Sequence, residues 1–131
     1  MSQVGHGAIA VTIAPNPIIA QPAGGGTFEF PFDVIVRETG GHNVTINDVT
    51  VTVFAFGGVQ VGSDQYDASR IKALGYTTMV PANGEVRYHF QPRKSVPDER
   101  LFSSVTADVG IDGVDDTGAP TRATTSVTVR R

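Results

Sequence analysis

The chain has 131 residues, 40% of them hydrophobic and 18% charged, with no Cys, no Trp and a formal net charge of −3. A single domain of this length buries an ordinary core without cross-links, and the missing thiols exclude disulfides, zinc–thiolate sites and thiol catalysis. The mild acidity supplies no basic field for nucleic acid or an anionic membrane, and no run of about 18 apolar residues is present to span a bilayer.

Met1 to Gly7 is polar and lacks the charged and apolar regions of a signal peptide. Residues 1–7 are expected to be a flexible tail or linker, and 8–131 one domain. A first strand is expected from Ala8 to Ala14, with Ile9, Val11 and Ile13 on one face; Pro15, Asn16 and Pro17 end it and suit a bend between sheets. Gly24, Gly25 and Gly26 turn the chain into the clearest strand signal, Thr27 to Arg37. There Phe28, Phe30, Phe32, Val34 and Val36 alternate with Glu29, Asp33 and Arg37, and a period of two puts one set in a core and the other in water.

Thr39 to Asn43 contains two adjacent glycines and reads as a tight reversal. Val44 to Phe56 reads as a long strand whose phase changes. Val44 and Ile46 are apolar at even positions, Val49, Val51 and Val53 at odd ones, so a β-bulge is expected at Asn47 or Asp48. Gly57 and Gly58 end it, and Val59 and Val61 begin a short strand. Asp67 to Leu74 is the one helical stretch, with Asp67 as N-cap and Gly75 as stop. After a turn at Pro81 to Gly84, Val86, Tyr88 and Phe90 face inward, with Arg87 and His89 outward. Pro92 to Arg100 is a charged loop. Phe102 to Val114 and Arg122 to Arg131 form a last hairpin across Asp115 to Pro120.

About seven short strands with polar turns and one short helix in a loop predict an all-β, immunoglobulin-like antiparallel sandwich; a small barrel is the alternative. The expected core is Phe28, Phe30, Phe32, Val51, Val53, Val86, Phe90, Val109, Ile111 and Val127.

Four segments carry a resemblance: FPFDVIVRETGG at Phe30 to Gly41, VTINDVTVTVF at Val44 to Phe54, VPANGEV at Val80 to Val86, and GIDGVDDTGAP at Gly110 to Pro120. In this order they resemble the Ig-like modules of large bacterial surface and secreted proteins, and the likeness runs from Ile9 onward. It implies a spacer or binding platform without catalytic residues.

Candidate sites are few. Asp108, Asp112, Asp115 and Asp116 cluster in the last hairpin, and hard oxygen ligands among glycines suit Ca²⁺, although Asp-x-Gly is also ordinary turn chemistry. Tyr66 and Tyr76 flank the helix and are candidates for an exposed ligand contact; Tyr88 shares the parity of Phe90 and reads as core. His6, His42 and His89 are scattered, with no motif that supports a catalytic role. Asn43-Val44-Thr45 fits a glycosylation sequon.

The expectation is a non-catalytic structural or adhesive module of an extracellular or cell-surface assembly, with no cofactor other than the candidate calcium. The alternatives are a carbohydrate-binding module attached to a hydrolase, and a phage or virion decoration protein. The terminal strands carry few charges before Arg130 and Arg131. Protein partners are therefore expected at sheet edges and end loops, without nucleic acid or membrane insertion.

Overall fold

The computed structural model describes residues 5–96 and 105–131. Residues 1–4 of the expected tail, the end of the charged loop and the start of the strand expected from Phe102 lie outside the described residues. Seven strands of six residues or more form the frame: β1 (Ile9–Ala14), β5 (Phe32–Glu38), β6 (Val44–Ala55), β7 (Val59–Asp67), β9 (Glu85–Phe90), β11 (Val105–Asp115) and β12 (Pro120–Arg130). Shorter pieces fill the corners: β2 (Ile18–Ile19), β3 (Gln21–Gly24), β4 (Thr27–Glu29), β8 (Met79–Val80) and β10 (Arg93–Ser95). One helix, α1 (Ala68–Ala73), follows β7.

The molecule is a β-sandwich. A small antiparallel sheet has the order β1-β5-β9, and a large one the order β2-β12-β11-β6-β7, with β8 also paired to β6. A ribbon β10-β4-β3 closes one side. Among the described residues all pairs are antiparallel except β2 with β12. The inward residues of both sheets meet in one core that includes Phe28, Phe30, Phe32, Val51, Val109, Ile111 and Tyr88. Each such side chain contributes about 1.5–3 kcal/mol by leaving water. Of the ten expected core residues, Val86 alone is only partly buried, because it starts an edge strand.

Two proline-marked bends move the chain between sheets. Pro15 and Pro17 carry it from β1 in the small sheet to β2 in the large one. Phe30 and Pro31 separate β4 from β5, so the expected strand from Thr27 to Arg37 is two strands in different layers. Its alternation survives because Phe28, Phe30 and Phe32 all still point into the shared core.

The bulge is present. Asp112 pairs with Asp48 but Gly113 with Ile46, which leaves Asn47 as the extra residue. Burial along β6 changes phase there, with Ile46 and Val49 both buried. Gly113 faces this kink: a Cβ on it would lie 2.7 Å from the Thr45 carbonyl oxygen. The helix starts where expected, with Asp67 Oδ1 accepting from Arg70 N–H at 2.8 Å, and Gly75 follows its end with φ +92°. Its Ile71 is fully buried, while Leu74 stays exposed. β7 is nine residues long rather than short, because it pairs with β6 from Val59 to Asp67.

Candidate functional site

Two buried carboxylates organise one end of the sandwich. Glu38 ends β5 and is 1% exposed. Its Oε2 accepts from the N–H groups of Ala8 and Gly40, and its Oε1 from those of Gly41, His42 and Asn83, at 2.6–3.1 Å. One side chain thus ties together the start of β1, the 39–43 turn and the turn before β9. Burial pushes the Glu38 carboxyl up, but the N–H groups of Asn83, Ala8, Gly40 and Gly41 outweigh it and hold it down at about 2. Gly40 is needed here, since a Cβ would run into the His6 carbonyl oxygen. Asp115 does the same for the last hairpin. Its Oδ1 accepts from Thr117 N–H, Thr117 Oγ1–H and Ala119 N–H, and its Oδ2 from Gly7 N–H at 2.6 Å. The Thr117 hydroxyl leads in holding this carboxyl well below the usual range, against burial and with help from the Gly7, Ala119 and Thr117 amides. Gly7 is buried in this contact. The carboxylates turn their lone pairs to backbone N–H groups and the Thr117 hydroxyl, which fixes the loops around them.

The four hairpin aspartates are divided among separate partners. Asp108 accepts from the Ser126 hydroxyl at 2.6 Å, and Asp112 faces Arg122 at 3.7 Å. Asp115 is engaged as above, and Asp116 pairs with His42 Nδ1 at 2.8 Å and accepts from Asn43 N–H. Among the described residues no group of three or more His, Asp or Glu side chains is gathered around a cation position. His89 and Arg87 both contact Asp33, at 2.7 and 3.0 Å, and the His89 bond leads in lowering the Asp33 pKa against slight burial. In the sequon, Asn43 Oδ1 accepts from Ala82 N–H.

Tyr66 is not an exposed contact. It is 4% exposed, stacked on Phe90 with centroids 3.9 Å apart, and the Arg70 guanidinium lies 4.3 Å over its ring. Burial, then nearby Asp64, pushes its phenol pKa up, with Arg70 opposing. The adjoining cleft of about 470 Å³ is lined by Asp64, Arg70, His89 and Arg93 together with Tyr66, Phe90 and Leu74, and Tyr66 presents little ring surface to it. Tyr76 is half-buried, and its hydroxyl bonds both to the carbonyl oxygen and to the N–H of His89.

That contact has a wider meaning, because β9 is a sheet edge. Glu38 N–H donates to Gly84 O, and by alternation Val86, Tyr88 and Phe90 turn their backbone groups toward β5, leaving those of Glu85, Arg87 and His89 facing out. Tyr76 caps the last of them. β7, the edge of the large sheet on the same flank, is capped too: Arg70 Nη1 donates to Gln65 O at 3.0 Å and Lys94 Nζ to Ser63 O at 3.4 Å.

The opposite flank is formed by β1 and β12, which lie against each other. Asp115 N–H donates to Ala119 O, and Ala20 N–H to Arg130 O. Both bonds set the same parity. Odd residues of β12 face β11, and Arg122, Thr124, Ser126 and Thr128 turn N–H and C=O outward. On that side β2 pairs only with Val129 and Arg130. Among the described residues no strand pairs with Pro120 to Thr128 there, and no side chain caps Arg122, Thr124 or Ser126. Sequence reasoning placed an open edge on both terminal strands; it missed the caps opposite, which depend on residues distant in the chain.

No family model and no curated protein matches this chain. Solved structures share its fold. It is similar to a Northeast Structural Genomics Consortium target, SoR45, with TM-score 0.66 and 12% identity over 92% of this chain and 86% of that one. It is similar to the putative ApaA protein of Bordetella pertussis, with TM-score 0.61 and 13% identity over 97% and 96%. It also matches part of a β-glucuronidase from glycoside hydrolase family 2, with TM-score 0.57 and 8% identity, over 94% of this chain and 13% of that one. At these identities the likeness concerns the fold alone.

Proposed function

We propose that this chain is a non-catalytic Ig-like module, a spacer or protein-interaction platform of an extracellular or cell-surface assembly, and that its contact surface is the β1–β12 flank. The observation that carries the reading is the backbone of β12 at Arg122, Thr124 and Ser126, which nothing caps among the described residues, set against edges on the other side that are capped in part, at His89, Gln65 and Ser63. Unpaired strand edges accept a strand from a neighbour, with main-chain bonds supplying affinity. The two most strongly perturbed carboxylates support the non-catalytic part, since Glu38 and Asp115 hold loops and offer no free base.

A photo-crosslinking residue placed at Ser126, and separately at Glu85, tests this in the native host. The expected result is adducts to identified protein chains from Ser126 and few from Glu85. Adducts confined to Glu85, or none from Ser126, would refute the flank assignment. Turnover of any substrate in a hydrolase panel, abolished by one His or Asp substitution, would refute the non-catalytic reading.

A further inference from the structure

We propose that two copies of this chain pair through β12, antiparallel, about a two-fold axis at Thr124, so that their large sheets become one. The proposal rests on the interaction-module reading above and names the partner.

Three observations choose this register. First, among the described residues the free outward groups of β12 run from the Pro120 C=O to the Thr128 N–H, since the pairing of Val129 with Ile18 takes the Thr128 C=O, and their midpoint is Thr124. With the axis there, a second copy's strand covers the open stretch and stops before Val129 and Arg130, which β2 already holds. Moving the centre by a residue toward the end of the strand drives the incoming Pro120 against Arg130 and β2. Moving it the other way leaves outward groups unpaired.

Second, the parity fits. Thr124 turns both N–H and C=O outward, so Thr124 and its copy can form a pair that exchanges both bonds. Arg122 then lies opposite the second copy's Ser126. Pro120, which lacks an N–H, falls at the end of the paired stretch, where the missing donor matters least.

Third, the charges match in this register. Arg122 is 68% exposed at its side chain and holds only the 3.7 Å contact with Asp112. Asp108 is the neighbour of Ser126 in the sheet, bonded to its hydroxyl. Pairing about Thr124 therefore brings each Arg122 beside the other copy's Asp108, with no acid facing acid. Registers centred on Arg122 or Ser126 would set Arg122 opposite another arginine, either its own copy or Arg130, and like charges directly opposite destabilise a strand pair. The outer face permits the approach. Its middle row is Gln65, Thr50, Gly110 and Thr124, where Gly110 has no side chain and a Cβ would meet only Arg122 and Thr124 at ordinary contact distance. On the inner side Thr121, Ala123 and Thr125 are only half-buried, so a second copy would also cover apolar surface. The symmetry is isologous and closes at two.

The chain has no Cys, which makes a positional test simple. Across a pair that exchanges both bonds the Cα atoms lie about 5.5 Å apart, within disulfide range. Thr124→Cys should form a covalent dimer under mild oxidation, Ser126→Cys alone should not, and an equal mixture of Arg122→Cys and Ser126→Cys should cross-link to each other. By analytical ultracentrifugation of the full chain, Thr124→Pro and Arg122→Asp should each weaken the dimer at least about tenfold, a loss of about 1.4 kcal/mol. Arg122→Asp combined with Asp108→Arg should restore it. A chain that stays monomeric at millimolar concentration, or cross-links equally well through Thr124 and Ser126 alone, overturns the proposal. So does a dimer that Thr124→Pro leaves intact. If Ser126 still captures an identified different protein in the host, the self-pairing fails and the interaction-module reading stands; silence at Ser126 in both settings removes both.

Discussion

β9 is an edge strand, and so is β12 up to the point where β2 joins it at Val129; each is antiparallel to a buried neighbour and entered after a glycine-containing turn. Their outward backbone groups differ. On β9 the outward positions carry Glu85, Arg87 and His89, and the Tyr76 hydroxyl bonds to both backbone groups of His89. On the same flank Arg70 and Lys94 occupy carbonyls of β7. On β12 the outward positions from Arg122 to Thr128 carry Thr and Ser with one arginine, between Pro120 and Arg130, and no side chain caps Arg122, Thr124 or Ser126 among the described residues. Charge and side-chain caps are the usual means of blocking edge-to-edge association. Here caps are applied at His89, Gln65 and Ser63 on one flank, where Glu85 and Arg87 stay uncapped, and none is applied at Arg122, Thr124 or Ser126 on the other.

The largest expected effect leaves this difference untouched and so isolates it. Phe30 is 3% exposed where the chain crosses from the ribbon to the small sheet, and Phe30→Ala should cost roughly 3–5 kcal/mol in denaturant unfolding. Cross-linking through Thr124→Cys should persist in that background wherever the protein remains folded. Next come two proline substitutions one residue apart. Thr125 turns its N–H to β11, so Thr125→Pro should cost roughly 3 kcal/mol or more. Thr124 turns its N–H outward, and Thr124→Pro should cost about 1 kcal/mol or less. Equal losses at the two sites would break the parity on which the open flank rests.

A pH series probes how the open flank is anchored, because Glu38 holds Ala8 at the start of β1. Its carboxyl falls from 4.5 to about 2 on folding. A depressed folded pKa means stability that is complete above the unfolded value and disappears as pH falls through the folded one. The loss should therefore develop between pH 4.5 and 2, with Asp115 acting in the same direction. Glu38→Gln should lower stability by about 2 kcal/mol at neutral pH and flatten the acid slope. A slope unchanged by Glu38→Gln would contradict that assignment. The smallest effect concerns the capped flank. Tyr76→Phe should cost about 1 kcal/mol and create new self-association through β9, detectable in sedimentation of Tyr76→Phe combined with Thr124→Pro. No added association would show that the hydroxyl is not what closes that edge.

Much of this architecture was legible in the residues, for identifiable reasons. The bulge at Asn47 announced itself because Ile46 and Val49 differ in parity while both are apolar, and only an extra residue reconciles them. The inward Tyr88 followed from Phe90 two residues on. The break at Phe30 was hidden because strand period and core geometry agree across it: three phenylalanines keep alternating although β4 and β5 belong to different layers. Tyr66 misled for the opposite reason. It stands among polar neighbours in β7, and only its pairing with Val49 places it over Phe90. Glu38 appeared as the end of an alternating run before Thr-Gly-Gly. Its five N–H donors come from residues 8, 40, 41, 42 and 83, and no local pattern reports donors so far apart. The caps on the closed flank share that difficulty, since Lys94 reaches Ser63 from another strand altogether.

Residue-resolved amide hydrogen exchange on β12 tests the open flank most directly. In dilute solution the amides of Arg122, Thr124 and Ser126 should exchange at least about a hundredfold faster than those of Ala123, Thr125 and Val127, which are bonded within the sheet. The His89 amide, held by Tyr76, should be slower than Thr124 although both lie on edges. Protection at Thr124 should then rise with protein concentration. Uniform protection from residue 122 to 127 at high dilution, or a His89 amide as fast as Thr124, would contradict the account.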